Sequence, residues 1–275
     1  MIVLTGFGDE IGPDLVQQMD VLESEGVKYI ELRGVNNKNV LKFTQEDCRE
    51  IKKKLDDRGF RISAIGSPIG KVKITEEFNK HLDDFMRALD LARYFDTEYI
   101  RVFTYYPGEG GKIQDNRDEV MRRMRRKVEL AKRVGITLLL ENESNLYGES
   151  PENCADVLAT VNSPHLRAVF DPANFVVKGY KPFDRCWPLL KKYTVYFHIK
   201  DAKMGPGGKI VPAGEGDGQL EEVLGDAVAS GYEGFMSLEP HLSKGGQFSG
   251  FTGPELFREA IRALKRVLDK VGAKY

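Results

Sequence analysis

Short apolar segments alternate with longer amphipathic segments eight times along this 275-residue chain. One such pair is the apolar segment 28–32 (KYIEL) followed by the amphipathic segment 44–58. Strands that alternate with helices favour a parallel sheet covered by helices. Eight such units in about 250 residues are typical of a (β/α)₈ barrel. We therefore predict an α/β fold, a (β/α)₈ TIM barrel, with residues 1–275 forming a single domain.

Residues at the ends of the amphipathic segments support their prediction as helices. Ser150-Pro151 is a typical helix start, and glycines such as Gly26 and Gly135 separate a helix from the next strand. A doubly wound open sheet is the alternative, but the segment GFGDE after the first strand lacks the spacing of a dinucleotide-binding loop. The predicted helices are Pro13–Glu25, Thr44–Arg58, Thr75–Tyr94, Arg117–Val134, Pro151–Val161, Phe183–Lys192, Leu220–Ser230 and Pro254–Val271.

Four predicted strands end in a side chain that can bind a metal. Glu141, Asp171, His198 and Glu239 each follow an apolar run directly, in LLLENES, AVFD, VYFH and MSLE. The C-terminal strand ends of a barrel form one face, so we expect these side chains to converge. Taken singly, each acid could instead cap a helix or pair with a lysine. Three carboxylates and one imidazole suit one divalent ion: Mn²⁺ is preferred, and Mg²⁺, Co²⁺ or Zn²⁺ are alternatives.

Three further polar residues follow predicted strands and are candidates for binding substrate. Arg33 could hold a substrate oxygen or pair with Glu31. His241, two residues after Glu239, is placed to reach a substrate hydroxyl. Lys203, five residues after His198, could polarise a carbonyl or pair with a nearby acid.

Composition limits the classes of partner. The chain is 41% hydrophobic and 30% charged, and no apolar run approaches the roughly 20 residues that cross a membrane. The segment MIVLTGFGDE lacks the features of a signal peptide, so we expect a cytoplasmic protein with no membrane partner. A net charge of −1 gives no general attraction to phosphate backbones, so we expect no nucleic-acid partner.

The motifs ENES, FDPANF, YFHIKD and SLEPH resemble the metal-binding strand ends of the xylose isomerase-like TIM barrel superfamily. This superfamily includes ketose 3-epimerases, inosose isomerases and dehydratases, and endonuclease IV. The resemblance implies that Glu141, Asp171, His198 and Glu239 hold one divalent metal. It also implies that Glu141 and Glu239 act as acid and base, as the two glutamates do in the ketose epimerases.

The chain departs from two of these patterns. Asn174 stands where the ketose 3-epimerases carry a substrate-binding histidine, and Met204 stands where they carry an arginine. We expect Asn174 to contact substrate, while ordinary ketohexose epimerisation is in doubt. An endonuclease IV-like phosphodiesterase is a remote alternative, because the third and fourth strand ends, Gly66-Ser67 and Phe103-Thr104, lack the further histidines of a trinuclear zinc site.

The predicted function is that of a metal-dependent sugar isomerase or epimerase. Glu141 and Glu239 would transfer a proton next to a carbonyl through an enediolate. A dehydratase or keto-glycoside lyase is the alternative, in which the same proton abstraction leads to β-elimination. The expected partner is a small sugar or polyol, and a homo-oligomer remains open because exposed barrel helices often mediate dimers.

Overall fold

The computed structural model describes residues 1–205, 208–243 and 252–275. Within these residues there are eight barrel strands: β1 (Ile2–Gly6), β2 (Tyr29–Leu32), β3 (Arg61–Ile65), β4 (Tyr99–Val102), β5 (Thr137–Glu141), β6 (Leu166–Phe170), β7 (Thr194–Ile199) and β8 (Gly234–Leu238). They are parallel and form one sheet in the order β1, β8, β7, β6, β5, β4, β3, β2. A parallel bridge between Phe7 and Glu31 joins the chain after β1 to β2 and brings the sheet round into a ring. The predicted (β/α)₈ barrel is confirmed.

Helices between consecutive strands cover the outside of the ring. They are α1 (Leu15–Ser24), α2 (Gln45–Asp57), α3 (Phe78–Tyr94), α4 (Arg117–Arg133), α5 (Pro151–Val161), α6 (Trp187–Leu190), α7 (Leu220–Ala229) and α8 (Pro254–Lys270). Local capping defines two of the starts. Thr44 and Asp47 form a reciprocal capping box before α2, and Ser150 accepts a hydrogen bond from the Asn153 N–H at the start of α5.

The predicted helix Phe183–Lys192 is not continuous. A π-helical turn spans Pro182–Cys186, α6 follows, and a 3₁₀ turn at Lys191–Tyr193 ends the connection. Pro188 explains the break, because it has no N–H to donate and its ring clashes with the carbonyl four residues earlier.

Two short hairpins and one short helix extend the C-terminal face of the barrel beyond the predicted elements. The hairpins pair Gly34–Val35 with Lys38–Asn39 after β2, and Asp201–Ala202 with Ile210–Val211 after β7. The short helix Pro172–Val176 follows β6. These elements surround the strand ends that carry the predicted ligands.

The barrel interior is layered. At the N-terminal end aromatic rings from several strands meet; the Tyr196 ring centre is 6.0 Å from that of Tyr99 and 5.7 Å from that of Phe235. Above them a polar chain crosses the barrel: the Thr5 and Ser63 hydroxyls are 2.8 Å apart, and the Ser63 and Tyr196 hydroxyls are 2.9 Å apart. This layer separates the apolar interior from the ionisable groups at the C-terminal face.

No helix in the described part of the chain is both long and apolar enough to span a membrane.

Candidate metal centre

The four predicted ligands come together at the C-terminal face. Glu141 ends β5, Asp171 directly follows β6, His198 lies in β7 and Glu239 directly follows β8. All four are buried, and one ligand atom from each lies within 4.8 Å of the others. Opposite ligands of an octahedral ion with bonds of 2.0–2.1 Å are about 4.2 Å apart. The donor set therefore needs only a small inward movement to surround one divalent ion.

Buried polar atoms support this fit. Glu141 Oε2, Asp171 Oδ2 and His198 Nδ1 are buried and make no well-directed hydrogen bond among the described residues. Two of them nevertheless face a basic group: Arg101 Nη1 lies 3.3 Å from Glu141 Oε2, and Lys200 Nζ lies 2.9 Å from Asp171 Oδ2. The three atoms belong to three of the four ligands, so one shared cation would be a common partner for them.

Glu31 orients the histidine of this centre, a role that the sequence did not indicate. The two Glu31 carboxylate oxygens each lie 3.2 Å from His198 Nε2, and the Tyr196 hydroxyl donates a hydrogen bond of 3.0 Å to Glu31 Oε2. A carboxylate at one ring nitrogen fixes the tautomer and leaves the other nitrogen for a metal. The acid Glu31 inside the otherwise apolar strand KYIEL could have indicated a buried functional carboxylate. From the sequence it was predicted only as a possible partner for Arg33.

Burial and mutual charge shift the pKa values of the ligands in different directions. Burial alone would raise the pKa of Glu141, but His198 and Arg101 lower it to about 2. Burial raises the pKa of Asp171 to about 6, against the opposing charge of Lys200. Burial would lower the pKa of His198, but Glu31 and Glu141 raise it to about 10. The carboxylates of the site therefore favour the protonated form of the His198 ring, and the basic side chains keep Glu141 ionised.

Arg33 binds the carboxylates around Glu239. Its Nη1 lies 2.7 Å from Glu239 Oε1, its Nε 2.8 Å from Asp9 Oδ2, and its Nη2 2.9 Å from Glu10 Oε1. The guanidinium also stacks on Phe7, with its central carbon 4.4 Å from the ring centre. Arg33 thus positions the predicted ligand Glu239. That Arg33 also holds substrate remains a prediction.

Lys200, and not Lys203, is the lysine that contacts the predicted ligands from the end of β7. Lys200 is buried, with Nζ 2.9 Å from Asp171 Oδ2 and 3.2 Å from Glu239 Oε2. Lys203 is exposed and lies on the hairpin after β7, outside the lining of the cavity at the metal centre. Side chains two residues apart on a strand share a face, so the spacing from His198 to Lys200 could have predicted that Lys200 lies beside the ligands.

Asn174 and His241 border the cluster. Asn174 donates from Nδ2 to the Asn142 carbonyl at 2.9 Å and to Glu141 Oε1 at 3.3 Å. His241 Nε2 lies 2.9 Å from Glu10 Oε1 and 3.6 Å from the neighbouring ligand Glu239. His241 has a left-handed backbone with φ of 46°, a conformation that costs energy in a residue other than glycine.

A cavity of about 240 Å³ opens above the metal centre. Its lining combines acidic and basic side chains: Arg33, Lys71, Arg101, Glu141, Glu143, Lys200, Glu239 and His241. A larger cleft of about 480 Å³ lies at the N-terminal strand ends, beside Tyr29, Arg61 and Tyr99, far from the clustered ligands. The predicted ligands Glu141 and Glu239 line the smaller cavity.

Arg101 is a third site residue, after Glu31 and Lys200, that the sequence patterns did not indicate. Its side chain leaves β4, and its central guanidinium carbon lies 4.9 Å from the ring centres of both Phe7 and Phe103. Nε and Nη2 donate to the Ser67 and Gly66 carbonyls at 3.3 and 3.2 Å. Nη1 lies 3.3 Å from Glu141 Oε2 and thus faces the ligands.

Comparison with known proteins agrees with this architecture. This chain is 24% identical over 190 residues to 3-dehydroshikimate dehydratase of Bacillus anthracis. The match covers 68% of this chain and 67% of the relative. Fructoselysine 3-epimerase of Escherichia coli O157:H7 is 25% identical over 192 residues, covering 66% of each chain. The matched part therefore spans about two thirds of each relative.

A solved structure shares the fold over nearly the whole length. It is a xylose isomerase-like TIM barrel protein from Mycobacterium smegmatis in complex with magnesium, with a TM-score of 0.74 and 19% identity. The alignment covers 99% of this chain and 97% of that one. The family model described as xylose isomerase-like TIM barrel matches residues 19–267. The chain therefore belongs to the xylose isomerase-like TIM barrel family.

Proposed function

We propose that the protein is a divalent-metal-dependent sugar isomerase or epimerase that moves a proton next to a substrate carbonyl. The observation that carries this proposal is the clustering of Glu141 and Glu239 with Asp171 and His198 beneath one cavity. The two glutamates come from β5 and from the end of β8, so they approach the cavity from separate parts of the ring. Both are held by basic neighbours, which keep them ionised and able to accept a proton.

The roles of the residues follow from their positions. Glu141, Asp171, His198 and Glu239 would hold the ion, which when bound would supply Lewis-acid polarisation of a carbonyl. One glutamate removes the proton beside the carbonyl, and the other exchanges a proton on the opposite face of the same carbon. Mn²⁺ remains the preferred ion, since the donors are mainly oxygen atoms.

Arg101 and Lys200 would stabilise negative charge that develops on the substrate oxygen. Both are buried cations at the cavity lining, and fixed donors in a dry site need no reorganisation during the reaction. The Arg101 guanidinium is held between two phenyl rings and by two carbonyls, so its Nη1 is directed at the reacting region.

A β-eliminating dehydratase is the second candidate, and the charge of the lining favours it. Four basic side chains, those of Arg33, Lys71, Arg101 and Lys200, line the cavity together with three glutamates and can pair with an anionic group of a substrate. Such a cavity suits a keto substrate with an anionic group. One relative is itself named a dehydratase. In this reaction a glutamate takes the C–H proton and then passes it to the β-hydroxyl, which leaves as water.

Proton exchange in D₂O with Mn²⁺, followed by NMR, separates the two candidates. The panel contains a ketose, a keto-inositol, a keto-glycoside and the anionic cyclic ketone 3-dehydroshikimate. Deuterium incorporation without loss of a substituent indicates an isomerase or epimerase, whereas loss of water or of an aglycone indicates a lyase. Lys200→Met is expected to slow the reaction about 100-fold, and Lys203→Ala is expected to leave it unchanged. Absence of exchange and of elimination across the panel with Mn²⁺, Mg²⁺, Co²⁺ and Zn²⁺ would refute both candidates.

A further inference from the structure

A second group of buried polar side chains lies apart from the metal centre, between α3, α4 and the chain after β4. Lys127 is fully buried, and its Nζ lies 4.9 Å from the centre of the Tyr105 ring. The central guanidinium carbon of Arg123 lies 5.1 Å from the same ring centre. The ring of His81, from α3, packs edge-on against Tyr105 at 5.8 Å. We call these four residues the Tyr105 cluster.

Donors of the Tyr105 cluster lack acceptors. Lys127 Nζ, Arg123 Nη1 and the Tyr105 hydroxyl have no hydrogen-bond partner among the described residues. The other Arg123 nitrogens are used: Nε donates to Glu119 Oε1 at 2.6 Å, and Nη2 donates to a backbone carbonyl at 3.1 Å. Lysine and arginine offer only donors, so these two side chains cannot satisfy each other.

His81 supplies no acceptor either. Its Nε2 accepts a hydrogen bond of 3.1 Å from the Gly70 N–H. In a neutral imidazole the other ring nitrogen then carries the proton and is a donor. Apart from the Tyr105 hydroxyl oxygen, the Tyr105 cluster thus presents only donors.

Charge adds to this imbalance. Burial, together with the positive charge of Arg123, lowers the pKa of Lys127 to about 7. Glu119 pairs with Arg123 at 2.6 Å, whereas no carboxylate among the described residues pairs with Lys127, and a buried ammonium is costly without a negative group beside it. A water molecule would accept hydrogen bonds but would leave the positive charge of the Lys127 ammonium uncompensated.

We propose that a small inorganic anion of the size of chloride binds among Lys127 Nζ, Arg123 Nη1 and the Tyr105 hydroxyl. A single anion accepts from all three donors and offsets the charge of the Lys127 ammonium. Both cationic groups lie about 5 Å from the centre of the Tyr105 ring in a close-packed interior, which favours a monatomic ion over a larger oxyanion.

The anion would connect to the metal centre through one loop. Gly70, held by His81, has φ of 103°, and a Cβ there would lie 2.0 Å from the Phe103 carbonyl oxygen. The loop is therefore fixed tightly against the end of β4. Its next residue, Lys71, lines the cavity at the metal centre and pairs with Glu143 at 2.7 Å. Anion binding would stabilise this wall of the cavity without contacting it.

Thermal unfolding tests the proposal. The protein is exchanged into sodium gluconate, and chloride then replaces gluconate at constant ionic strength. We expect a saturable rise of the unfolding temperature on the order of 3 °C. Lys127→Met should abolish this rise, and Lys54→Met, at an exposed lysine on α2, should retain it. An equal response of wild type and Lys127→Met, or no response in wild type, would overturn the proposal.

Crystals soaked in bromide provide a test that needs no variant. We expect an anomalous scattering peak between Lys127 and Arg123. A water molecule with no anomalous signal at this position would overturn the proposal. So would a bromide that binds at crystal concentration only, with no effect of halide on stability in solution.

Discussion

His81 should make the protein acid-sensitive by a calculable amount. Burial, together with the charges of Lys127 and Arg123, lowers the pKa of His81 from 6.5 to about 3. Below pH 6.5 the unfolded chain therefore binds a proton at this residue while the folded chain does not. The contribution of the neutral His81 ring to the free energy of unfolding is fully present above pH 6.5 and is lost as the pH falls towards 3. One pKa unit corresponds to about 1.36 kcal/mol, so lowering the pH to 5 removes about 2 kcal/mol.

The variant His81→Gln isolates this contribution. A glutamine oxygen can still accept from the Gly70 N–H but does not titrate. Urea unfolding at pH 7 and pH 5, in gluconate buffer without chloride, gives the free energy of unfolding of both proteins. We expect the difference between wild type and His81→Gln to shift by about 2 kcal/mol in favour of the variant at pH 5.

His81→Leu separates titration from hydrogen bonding. It leaves the Gly70 N–H without its acceptor, so it should be less stable than His81→Gln at both pH values, by about 1–3 kcal/mol. Its stability relative to wild type should nevertheless show the same pH shift. A difference between wild type and His81→Gln that is equal at pH 7 and pH 5 would show that His81 titrates alike in the folded and the unfolded chain, and the reasoning would fail.

Three predictions concern the metal centre. Metal analysis after dialysis should find close to one divalent ion per chain and much less in Asp171→Asn; two or three tightly bound zinc ions would contradict the single site. Glu141→Gln and Glu239→Gln should each reduce turnover far more than metal affinity, since an amide oxygen can remain a ligand but cannot act as a base; wild-type turnover in both would exclude the two-base mechanism. Glu31→Gln should weaken metal binding about 10- to 100-fold by loosening His198, as measured by calorimetry; unchanged affinity would mean that the ring is oriented by other contacts.

The barrel and its four clustered side chains could be predicted from the sequence because both depend on local patterns. An apolar run that ends in a carboxylate marks a buried strand and its C-terminal end, and parallel strands in a barrel bring those ends to one face. Glu141, Asp171, His198 and Glu239 were found in this way before their distances were known. The family resemblance relied on the same motifs.

The sixth helical connection shows a limit of pattern reading. Its apolar spacing is helical over 183–192, but the segment consists of three short turns, and the missing N–H of Pro188 accounts for the break before Trp187. Here a single residue outweighs the periodicity. The information was local, and attention to the proline would have predicted the break.

Only the tertiary structure decided which charged residues meet at the cavity. Glu31 and Arg101 come from β2 and β4, and Lys200 directly follows β7; their partners lie in or directly after other strands, up to 167 residues away along the chain. Whether such a side chain enters the barrel depends on strand register and on which neighbours compensate its charge. Lys203 illustrates the same point, because a hairpin after β7 turns it to solvent while Lys200, inside the strand alternation, is buried beside Asp171. The free energy of a buried charge is set by groups distant in sequence, and no local pattern encodes their positions.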